Sequence, residues 1–412
     1  VLDEEHDPSY KQDEGITYHA RDMAIARASF ENIPIHLVSA VPSLETFNNV
    51  KNKKYNHTKL INRYSKSSLP EAKVINLQKT ELKKDHFIAR EAIDIANEYL
   101  KKKEQVLFFL NRRGYAPFLI CKKCGYKHIC SNCSIYLTYH KSINKLICHH
   151  CGNKISKDNP CKADKDFCDF RMYGPGVEKI YEELKNIFPK KNIKIFSSDF
   201  LSKKDETESI LRKIEKNEID ILVGTQLISK GFNFQKLNCI VVVDADFSGM
   251  GYDLRTTEKN IQLYNQLSGR AGRFSKKSTI IYQTITPYNE TLQDVLENNP
   301  EKFLNNELLV RKKKNLPPFS RLIALIISAS NSQDSFRAAQ EIKKKLSILV
   351  ELDILGPVDS PIFRIKKKFR TRLLLRSKND NLIQKKVGKI IENLTISKKI
   401  KLTVDVDPIN FT

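Results

Sequence analysis

The feature that most constrains this chain is a dense cluster of cysteines near the middle of its sequence. Of nine cysteines, eight lie between Cys121 and Cys168, and most of them form pairs with the spacing C-x2-C. Such a pair can place two thiolates on one tetrahedral ion, and eight thiolates suit two closed, structural zinc sites. The regular pairs are Cys121/Cys124, Cys130/Cys133 and Cys148/Cys151, and Cys161 and Cys168 follow at looser spacing.

The spacing leaves two points open. It does not say which pairs share an ion, and Asp164 stands where a fourth C-x2-C pair would have its second cysteine. Either Asp164 or Cys168 could complete that site, and we favour Cys168 because thiolate is the softer ligand. Gly125 and Gly152 each follow a pair, where they would ease the tight turn. The ninth cysteine, Cys239, lies in an apolar run and is expected in the core.

The remaining composition describes a large, basic protein. Its 412 residues suffice for two or three domains with their own cores. No segment approaches the roughly 18 apolar residues of a membrane span, and no signal peptide is evident. We therefore expect a cytoplasmic protein with no membrane partner, in which thiols bind metal rather than form disulfides. The net charge of +23 favours a nucleic-acid partner, although a drift toward A/T-rich codons, which encode Lys, Ile and Asn, would also produce it.

Apolar stretches on both sides of the cysteines predict an α/β fold. Short apolar runs, typical of buried strands, alternate with segments that keep the spacing of one helix face, such as 177–187 and 210–214. This alternation implies a mostly parallel sheet that is covered on both faces and interrupted by the cysteine-rich insertion. The predicted strands are residues 35–38, 106–110, 193–196, 219–223, 240–244 and 279–284.

A smaller domain is predicted after Leu316-Pro317-Pro318. Its pattern suggests a β-α-β-β-α-β-like order and a small α+β fold. The segments that carry this pattern are an apolar run at 322–328, a helix at 335–349, a basic strand at 369–375, a helix at 382–394 and a strand at 402–406.

Four short polar segments accompany the predicted strands. The first, Asp3-Glu4-Glu5-His6, is a weak signal by itself, because acidic clusters at strand ends are commonly solvated. In their order along the chain, however, the four segments resemble motifs II, III, V and VI of the superfamily-two helicases. The other three are Ser39-Ala40-Val41-Pro42-Ser43, Gly224-Thr225-Gln226 with Lys230-Gly231, and Gln266-Leu267-Ser268-Gly269-Arg270-Ala271-Gly272-Arg273.

The position of the cysteine insertion narrows the resemblance to the primosomal replication-restart helicases. The insertion follows Phe109-Leu110-Asn111-Arg112-Arg113-Gly114-Tyr115, and the similarity extends over nearly the whole chain. The resemblance implies two RecA-like lobes, the first of them truncated, with a zinc-binding insertion and a small α+β C-terminal domain. The implied bounds are 1–84 for the first lobe, 85–120 with 169–316 for the second, 121–168 for the insertion and 317–412 for the C-terminal domain.

The resemblance also implies an ATP-dependent 3′-to-5′ DNA helicase with ATP as substrate and Mg2+ as cofactor. Triphosphate hydrolysis needs a carboxylate that holds Mg2+, a second one that activates water, and cations for the charge that develops on the γ-phosphate. Asp3 and Glu4 are expected in the first two roles, and Gln266 would couple the nucleotide to domain closure. The implied nucleotide-site residues are Asp3, Gly231, Arg270 and Arg273.

DNA contacts are implied in two places. Thr225, Gln226 and Lys230 would face the DNA backbone or the lobe interface, and for Asp253 and Arg255 only an interface role is expected. A basic strand of the C-terminal domain would contact phosphates, although a solvated edge strand protected by lysines is the alternative. Its residues are Lys366, Lys367, Lys368, Arg370 and Arg372, with Phe369 as a stacking partner.

The family also suggests how the metal ligands pair and what the protein binds. The zinc insertion would aid strand separation and partner docking. The implied partners are forked and single-stranded DNA, single-strand DNA-binding protein and other primosome proteins. One ion would take Cys121, Cys124, Cys161 and Cys168, and the other would take Cys130, Cys133, Cys148 and Cys151.

Two departures from the family pattern bear on activity. Val41 stands where the family usually has Thr, which affects the coupling of hydrolysis to unwinding. No G-x-x-x-x-G-K-[ST] loop, which would cradle the phosphates, occurs in the sequence, and we expect it upstream of Val1. The chain is therefore expected to be a C-terminal portion that is inactive alone. The alternatives are a non-catalytic zinc-stabilised module that binds nucleic acid and a decayed or split-gene product.

Overall fold

The computed structural model describes four units. They are a small N-terminal unit, an α/β lobe, a cysteine-rich region inserted in that lobe and an α+β C-terminal domain, in agreement with the predicted fold class. None of its described helices is both long and apolar enough to span a membrane. The described residues are 1–12, 17–60, 69–82, 86–111, 118–131, 136–140, 145–148, 152–157, 159–161, 168–173, 177–196, 204–225, 234–246, 254–272, 277–365, 367–378 and 382–409.

The N-terminal unit brings the ends of two parallel strands to one edge. Its elements are β1 (Leu2–Asp3), β2 (Lys11–Gln12), β3 (Tyr18–His19), α1 (Ala20–Glu31), β4 (Leu37–Val38) and α2 (Leu44–Lys51). Strands β1 and β4 run parallel, with Asp3 opposite Val38, so the segments that follow both strands leave at the same edge. Ser43 caps α2, because its side chain accepts a hydrogen bond from the backbone N–H of Thr46.

The α/β lobe is built on a six-stranded parallel sheet. Before the cysteines the chain forms β5 (Glu71–Asn76), α3 (Arg90–Lys101) and β6 (Gln105–Phe109), and the cysteine-rich region contains β7 (Phe118–Cys121), β8 (Thr138–His140), β9 (Lys145–Ile147), β10 (Lys154–Ser156) and β11 (Phe170–Tyr173). The lobe continues with α4 (Val177–Ile187), β12 (Ile193–Phe196), α5 (Lys204–Glu215), β13 (Ile221–Gly224), β14 (Leu237–Val242), α6 (Thr256–Ser268), β15 (Thr279–Thr284), α7 (Glu290–Leu296) and α8 (Pro300–Lys313). The sheet order is β12-β13-β6-β14-β15-β5.

Alternate side chains of the central strands fill both faces of this sheet. Val106 and Phe108 of β6 pack on one face with α3 and α4, whereas Leu107 and Phe109 pack on the other face with α5 and α6. Every residue of β6 is buried, which is typical of a parallel strand that is covered on both sides. The predicted doubly covered sheet is therefore confirmed.

The boundary between the first and second lobes differs from the predicted one. The sequence prediction assigns residues 1–84 to the first lobe, but β5 pairs with β15 over its whole length as the edge strand of the second lobe's sheet. The second lobe therefore begins no later than Glu71. The sequence hides this strand because an edge position tolerates charge, and the pattern is broken by Glu71 and Lys73. The six strands predicted from apolar runs are all present, with ends shifted by at most a few residues.

The C-terminal domain has the predicted β-α-β-β-α-β order. Its elements are β16 (Ser320–Ala329), α9 (Ser332–Leu346), β17 (Asp353–Ile365), β18 (Lys368–Lys378), α10 (Leu382–Glu392) and β19 (Lys401–Val406). They form an antiparallel sheet of order β17-β18-β16-β19 with both helices on one face, where Leu325 and Leu373 are fully buried. The individual strand β17 escapes the sequence pattern because Pro357 and Pro361 interrupt it.

Candidate functional site

The two carboxylates of the first polar segment lie at the end of β1. Asp3 is exposed, and the backbone turns sharply at Glu4, which has a φ of 49° in the left-handed region. Few non-glycine residues adopt this conformation, and here it turns the chain directly after the carboxylate of Asp3. Glu4 Oε2 is shielded from solvent, accepts no hydrogen bond from the described residues and lies 3.6 Å from His6 Nδ1. One carboxylate is thus open to an ion, while the other is held beside an imidazole.

The next residue, Glu5, anchors this segment to the interior. It is fully buried and accepts hydrogen bonds from Ser43 N at 2.6 Å, Ser43 Oγ at 3.1 Å and Arg21 NH1 at 3.0 Å. Charge-assisted hydrogen bonds of this kind compensate a carboxylate for the loss of water. Glu5 therefore ties the carboxylate segment to the cap of α2.

His6 connects three of the polar segments across the two lobes. His6 Nδ1 lies 2.7 Å from Ser39 Oγ, and His6 Nε2 lies 3.2 Å from Gln266 Nε2 at the end of α6. Because an amide nitrogen only donates, His6 Nε2 accepts that bond, and a neutral ring then carries its proton on Nδ1 and donates to Ser39. Segments widely separated in sequence thus meet at one imidazole.

Val41, the departure in the second polar segment, is an apolar contact between the lobes. Its side chain is 1% exposed and packs in one cluster with Ile261 of α6 and Phe303 of α8. Its carbonyl oxygen accepts a hydrogen bond of 3.5 Å from Gln262 Nε2. A branched apolar side chain therefore takes the place of a hydroxyl at this interface.

The remaining predicted nucleotide and DNA residues are only partly described. Arg270 is half-buried and lies one turn beyond Gln266, and its backbone N–H donates to Leu267 O at 2.9 Å. Thr225 directly follows β13. Gln226, Lys230, Gly231, Asp253 and Arg273 lie outside the described residues.

A buried ion-pair network holds α2 against the second lobe. Glu258 of α6 is 3% exposed and accepts hydrogen bonds from Leu44 N at 2.9 Å and Arg311 NH2 at 3.1 Å. Arg255 binds both oxygens of Glu45, at 3.0 and 2.7 Å. Although burial alone would raise the pKa of Glu45, the positive charge of Arg255 lowers it well below the ordinary range. The expected interface role of Arg255 is therefore borne out by its contacts.

The C-terminal domain is tied to the N-terminal unit close to the same place. Lys11 Nζ lies 2.6 Å from Asp405 Oδ1 and donates to Val406 O at 3.3 Å. Nearby, burial and the charge of Arg21 lower the pKa of His19 to about 4, so the imidazole is neutral at neutral pH. The N-terminal unit thus contacts both larger units through charged groups.

In the cysteine-rich region, four cysteines come together as the family pairing implies. The Sγ atoms of Cys121, Cys161 and Cys168 all lie within 4.8 Å of one another, and Cys124 Sγ is 3.5 Å from Cys161 Sγ. A tetrahedral ion with Zn–S bonds of about 2.3 Å needs sulfurs roughly 3.8 Å apart, so the three mutually close sulfurs suit zinc, and Cys124, beside Cys161, is the available fourth ligand. Asp164, the alternative eighth ligand, lies outside the described residues.

The second predicted set is half described. Cys130 and Cys148 are both buried and belong to one cluster with Leu119, Leu137 and Leu146. Cys133 and Cys151 lie outside the described residues. The described part therefore supplies two of the four thiols of this set.

Two glycines that follow cysteine pairs lie where the cysteine-rich region contacts its neighbours: Gly125 contacts the α/β lobe and Gly152 contacts the C-terminal domain. Gly125 and Gly152 have φ values of 71° and 80°, as a tight turn requires. A Cβ on Gly125 would overlap Thr286 Cγ2 of the lobe, and one on Gly152 would come within 2.6 Å of Val358 Cγ1 of the C-terminal domain. Close backbone approach therefore adds to the need for glycine at both positions.

The basic strand of the C-terminal domain lies at the β17–β18 hairpin. Lys367 and Lys368 are exposed, and burial lowers the pKa of the half-buried Arg370. The Arg364 guanidinium lies 4.9 Å from the ring centre of Phe369, and Lys366 lies outside the described residues. Arg372 is only 2% exposed, so the prediction that it contacts DNA phosphates is wrong, because the sheet face that it shares with Leu374 is covered.

Sequence reasoning gave no individual role to Glu5, Arg21, Glu45 and Glu258. Each is a charged residue with a buried partner from a distant part of the chain, and no local spacing reveals such a pair. For Glu5, the only signal in the sequence was its place in the run of consecutive acidic residues Asp3-Glu4-Glu5.

Three family models match parts of the chain. Residues 312–409 match the primosomal protein N C-terminal domain, residues 167–275 match the helicase conserved C-terminal domain, and residues 130–155 match the PriA DNA helicase Cys-rich region domain. These matches coincide with the C-terminal domain, the second lobe and the cysteine-rich region described above.

Curated relatives extend the similarity to the whole chain. The replication restart protein PriA of Rickettsia conorii is 38% identical over 411 residues, which is 100% of this chain and 63% of the relative. The proteins of the same name from Haemophilus influenzae and Bacillus subtilis are 34% and 32% identical and are covered over 56% and 51% of their lengths. The chain thus spans between half and two thirds of the length of these relatives.

Proposed function

Because the chain belongs, over the part of their length that it spans, to the family of the replication restart proteins PriA, we propose that it forms the C-terminal part of a DNA helicase. The helicase would be ATP-dependent, move 3′ to 5′ and act in the cytoplasm during replication restart and primosome assembly. The observation that carries this proposal is the contact of His6 with both Ser39 and Gln266. It joins the carboxylate segment to the segment that bears Arg270, as hydrolysis linked to lobe movement requires.

In the proposed reaction the carboxylates act from the N-terminal unit. The exposed Asp3 would hold Mg2+, which supplies charge neutralisation on the phosphates. Glu4 would orient and deprotonate the attacking water, and His6 is placed to respond to its protonation. Arg270 and Arg273 would approach the γ-phosphate from the second lobe, where Gly231 would also lie, and they would stabilise the charge of the transition state.

Gln266 would link the state of the nucleotide to the position of the second lobe. Its amide bonds the same imidazole that lies beside Glu4, so a change at Glu4 alters a contact between the lobes. The apolar packing of Val41 on Ile261 would keep the interface together while this polar contact changes. Hydrolysis and lobe movement are coupled in this way.

Forked and single-stranded DNA are the proposed polymeric ligands. Thr225, Gln226 and Lys230 would lie along the backbone of one strand at the lobes. In the C-terminal domain, the exposed Lys367 and Lys368, with Lys366 and Arg370, would bind phosphates. Phe369 already packs against Arg364, and the pair would offer a joint surface for base stacking.

The cysteine-rich region would hold two structural zinc ions. One would be bound by the four cysteines that are close together, and the other by Cys130, Cys148 and their partners Cys133 and Cys151. Because four thiolates fill each coordination sphere, the ions would stabilise the fold without taking part in hydrolysis. Single-strand DNA-binding protein and other primosome proteins are proposed partners.

The proposal is tested by ATP hydrolysis with and without single-stranded DNA. The measurement is made on the 412-residue chain and on a chain extended upstream by its own coding sequence. DNA-stimulated hydrolysis is expected for the extended chain and not for the 412 residues, whose sequence contains no phosphate-loop motif. An extended chain that remains inert with DNA would contradict the helicase proposal.

A further inference from the structure

Leu254 and Arg255, which directly precede α6, lie at a corner where all four units meet. The first of them contacts the cysteine-rich region and the C-terminal domain, and the second contacts the N-terminal unit. Helix α6 then runs from this corner to Gln266, which meets His6. Both ends of one helix of the second lobe therefore contact the N-terminal unit.

Leu254 joins two separate hydrophobic clusters. In the cysteine-rich region it packs against the cluster that contains Leu119 and Leu137 together with Cys130 and Cys148. In the C-terminal domain it packs on the face of the sheet opposite to α9 and α10, against the cluster of Leu322, Ala324 and Leu374. The Leu254 side chain, which belongs to the α/β lobe, thus packs against both the cysteine-rich region and the C-terminal domain.

Arg255 extends the corner to the N-terminal unit by a forked ion pair. Its NH1 and NH2 groups bind the two oxygens of Glu45 at 3.0 and 2.7 Å, and its side chain is only 13% exposed. Two parallel hydrogen bonds from a planar guanidinium fix the orientation of both groups. Leu254 and Glu45 are therefore linked by one peptide bond and one forked ion pair.

Glu45 is connected to the carboxylate segment Asp3-Glu4-Glu5 through the cap of helix α2. It is in the first turn of α2, whose capping residue Ser43 donates from both N and Oγ to Glu5. Glu5 is buried and directly follows Asp3 and Glu4. Each residue in this series of contacts from Leu254 to Glu5 is buried or half-buried, and each charged residue in it has an oppositely charged or hydrogen-bonded partner.

We infer that Leu254 and Arg255 act as positioning residues, through which the packing of the cysteine-rich region and the C-terminal domain sets the placement of Asp3 and Glu4. The catalytic importance of that placement rests on the proposed function, but the coupling itself does not. DNA or a partner that moves either outer unit would shift the carboxylates without touching them.

Backbone hydrogen exchange in the zinc-loaded 412-residue protein tests the inference. The readouts are peptides that contain the amides of Glu5, which donates to Val38 O, and of Ser43, which donates to Glu5 Oε1. Leu254→Ala is expected to speed exchange in both peptides roughly tenfold, together with exchange in the cysteine-rich region. Arg255→Gln is expected to speed the same two peptides while leaving the cysteine-rich region unchanged, and the double variant is expected to add little in those peptides.

Two matched variants separate coupling from general destabilisation. Leu349→Ala removes a partly buried leucine from the helix-covered face of the C-terminal sheet, away from the cluster against which Leu254 packs. Arg376→Gln removes a paired arginine, whose Nε and NH2 lie 3.1 and 2.9 Å from Asp353. Both are expected to leave the Glu5 and Ser43 peptides unchanged.

Unchanged exchange of those two peptides in Leu254→Ala or in Arg255→Gln would overturn the inference. If Leu254→Ala does not fold, Leu254→Val carries the same test with a smaller shift. Because no nucleotide is present, failure here is distinct from failure of the helicase proposal, which the ATP hydrolysis assay decides.

Discussion

Glu5 Oε2 lies 3.0 Å from Arg21 NH1, and neither side chain has appreciable contact with solvent. Glu5 lies two residues after the exposed Asp3, which is proposed to bind Mg2+. The buried ion pair of Glu5 with Arg21 therefore holds this segment in place. The strand that bears Asp3 has two residues and offers few backbone hydrogen bonds, so a buried side-chain pair is needed to hold the segment in place.

Removal of the Glu5 charge is expected to destabilise the protein strongly. Glu5→Gln leaves the buried Arg21 with the exposed Asp22 as its remaining charged partner, at 2.9 Å, so we expect a cost of about 2–3 kcal/mol, below the roughly 3–5 kcal/mol of a buried pair that is broken completely. Urea unfolding measures the change. Glu31→Gln is the control, because the pair of Glu31 with Arg27 is exposed and is worth only about 0.3–0.5 kcal/mol. Equal losses from both variants would contradict the anchoring role.

The buried His19 is expected to make stability depend on pH. Burial and the charge of Arg21 lower the pKa of His19 from 6.5 to about 4 in the folded protein. Between these two pH values His19 is protonated in the unfolded chain but neutral in the folded protein, so protonation favours unfolding. Stability is complete above pH 6.5 and is lost as the pH falls toward 4, by roughly 1–3 kcal/mol. Urea unfolding at several pH values measures this. His19→Gln should flatten the dependence, whereas the exposed His36→Gln should retain it.

Two glycine-to-alanine changes are expected to have opposite effects. Gly125 has a φ of 71° and no room for a Cβ beside Thr286, so Gly125→Ala is expected to cost about 2 kcal/mol or more. Gly388 lies within α10 with no atom near its would-be Cβ, so Gly388→Ala is expected to gain roughly 0.5–1 kcal/mol. Thermal unfolding compares them. A neutral Gly125→Ala would contradict the close seating of the cysteine-rich region on the lobe.

Zinc content tests the assignment of the eighth ligand. The purified chain is expected to hold about two zinc ions, and Cys168→Ser is expected to reduce this to about one. Cys239→Ser is the matched control, because Cys239 is fully buried in the sheet core, away from the other thiols. Unchanged zinc content in Cys168→Ser would assign the ligand to another residue, with Asp164 the first to test.

The sequence predicted the parts of the fold that rest on periodicity. Buried central strands such as β6 are continuous apolar runs because helices cover both faces, and the sequence pattern located them. The edge strand β5 carries Glu71 and Lys73 and was placed in the wrong lobe, because its partner β15 lies some two hundred residues away and leaves no local signal. Arg372 was predicted to be an exposed cation, since its position in the strand does not reveal that both faces of the sheet are covered.

For the candidate site, motif residues were predictable and their supporting partners were not. Asp3, Glu4 and Gln266 stood out through short polar segments and a family resemblance. The pairs of Glu5 with Arg21 and of Glu45 with Arg255 join segments with no spacing in common. Such long-range charge pairs form because the packing of the lobes brings the two residues together. They can be identified from the three-dimensional structure but not from the sequence.

The proposed coupling of hydrolysis to strand separation depends on the contact between His6 and Gln266. It is tested by measuring, for the chain extended upstream, the base pairs of forked DNA unwound per ATP hydrolysed in the wild type and in Gln266→Ala. We predict that Gln266→Ala retains part of its DNA-stimulated hydrolysis but loses roughly tenfold or more of the unwinding per ATP, because the bond of 3.2 Å to His6 is gone. A Gln266→Ala protein that unwinds as many base pairs per ATP as the wild type would contradict the claim.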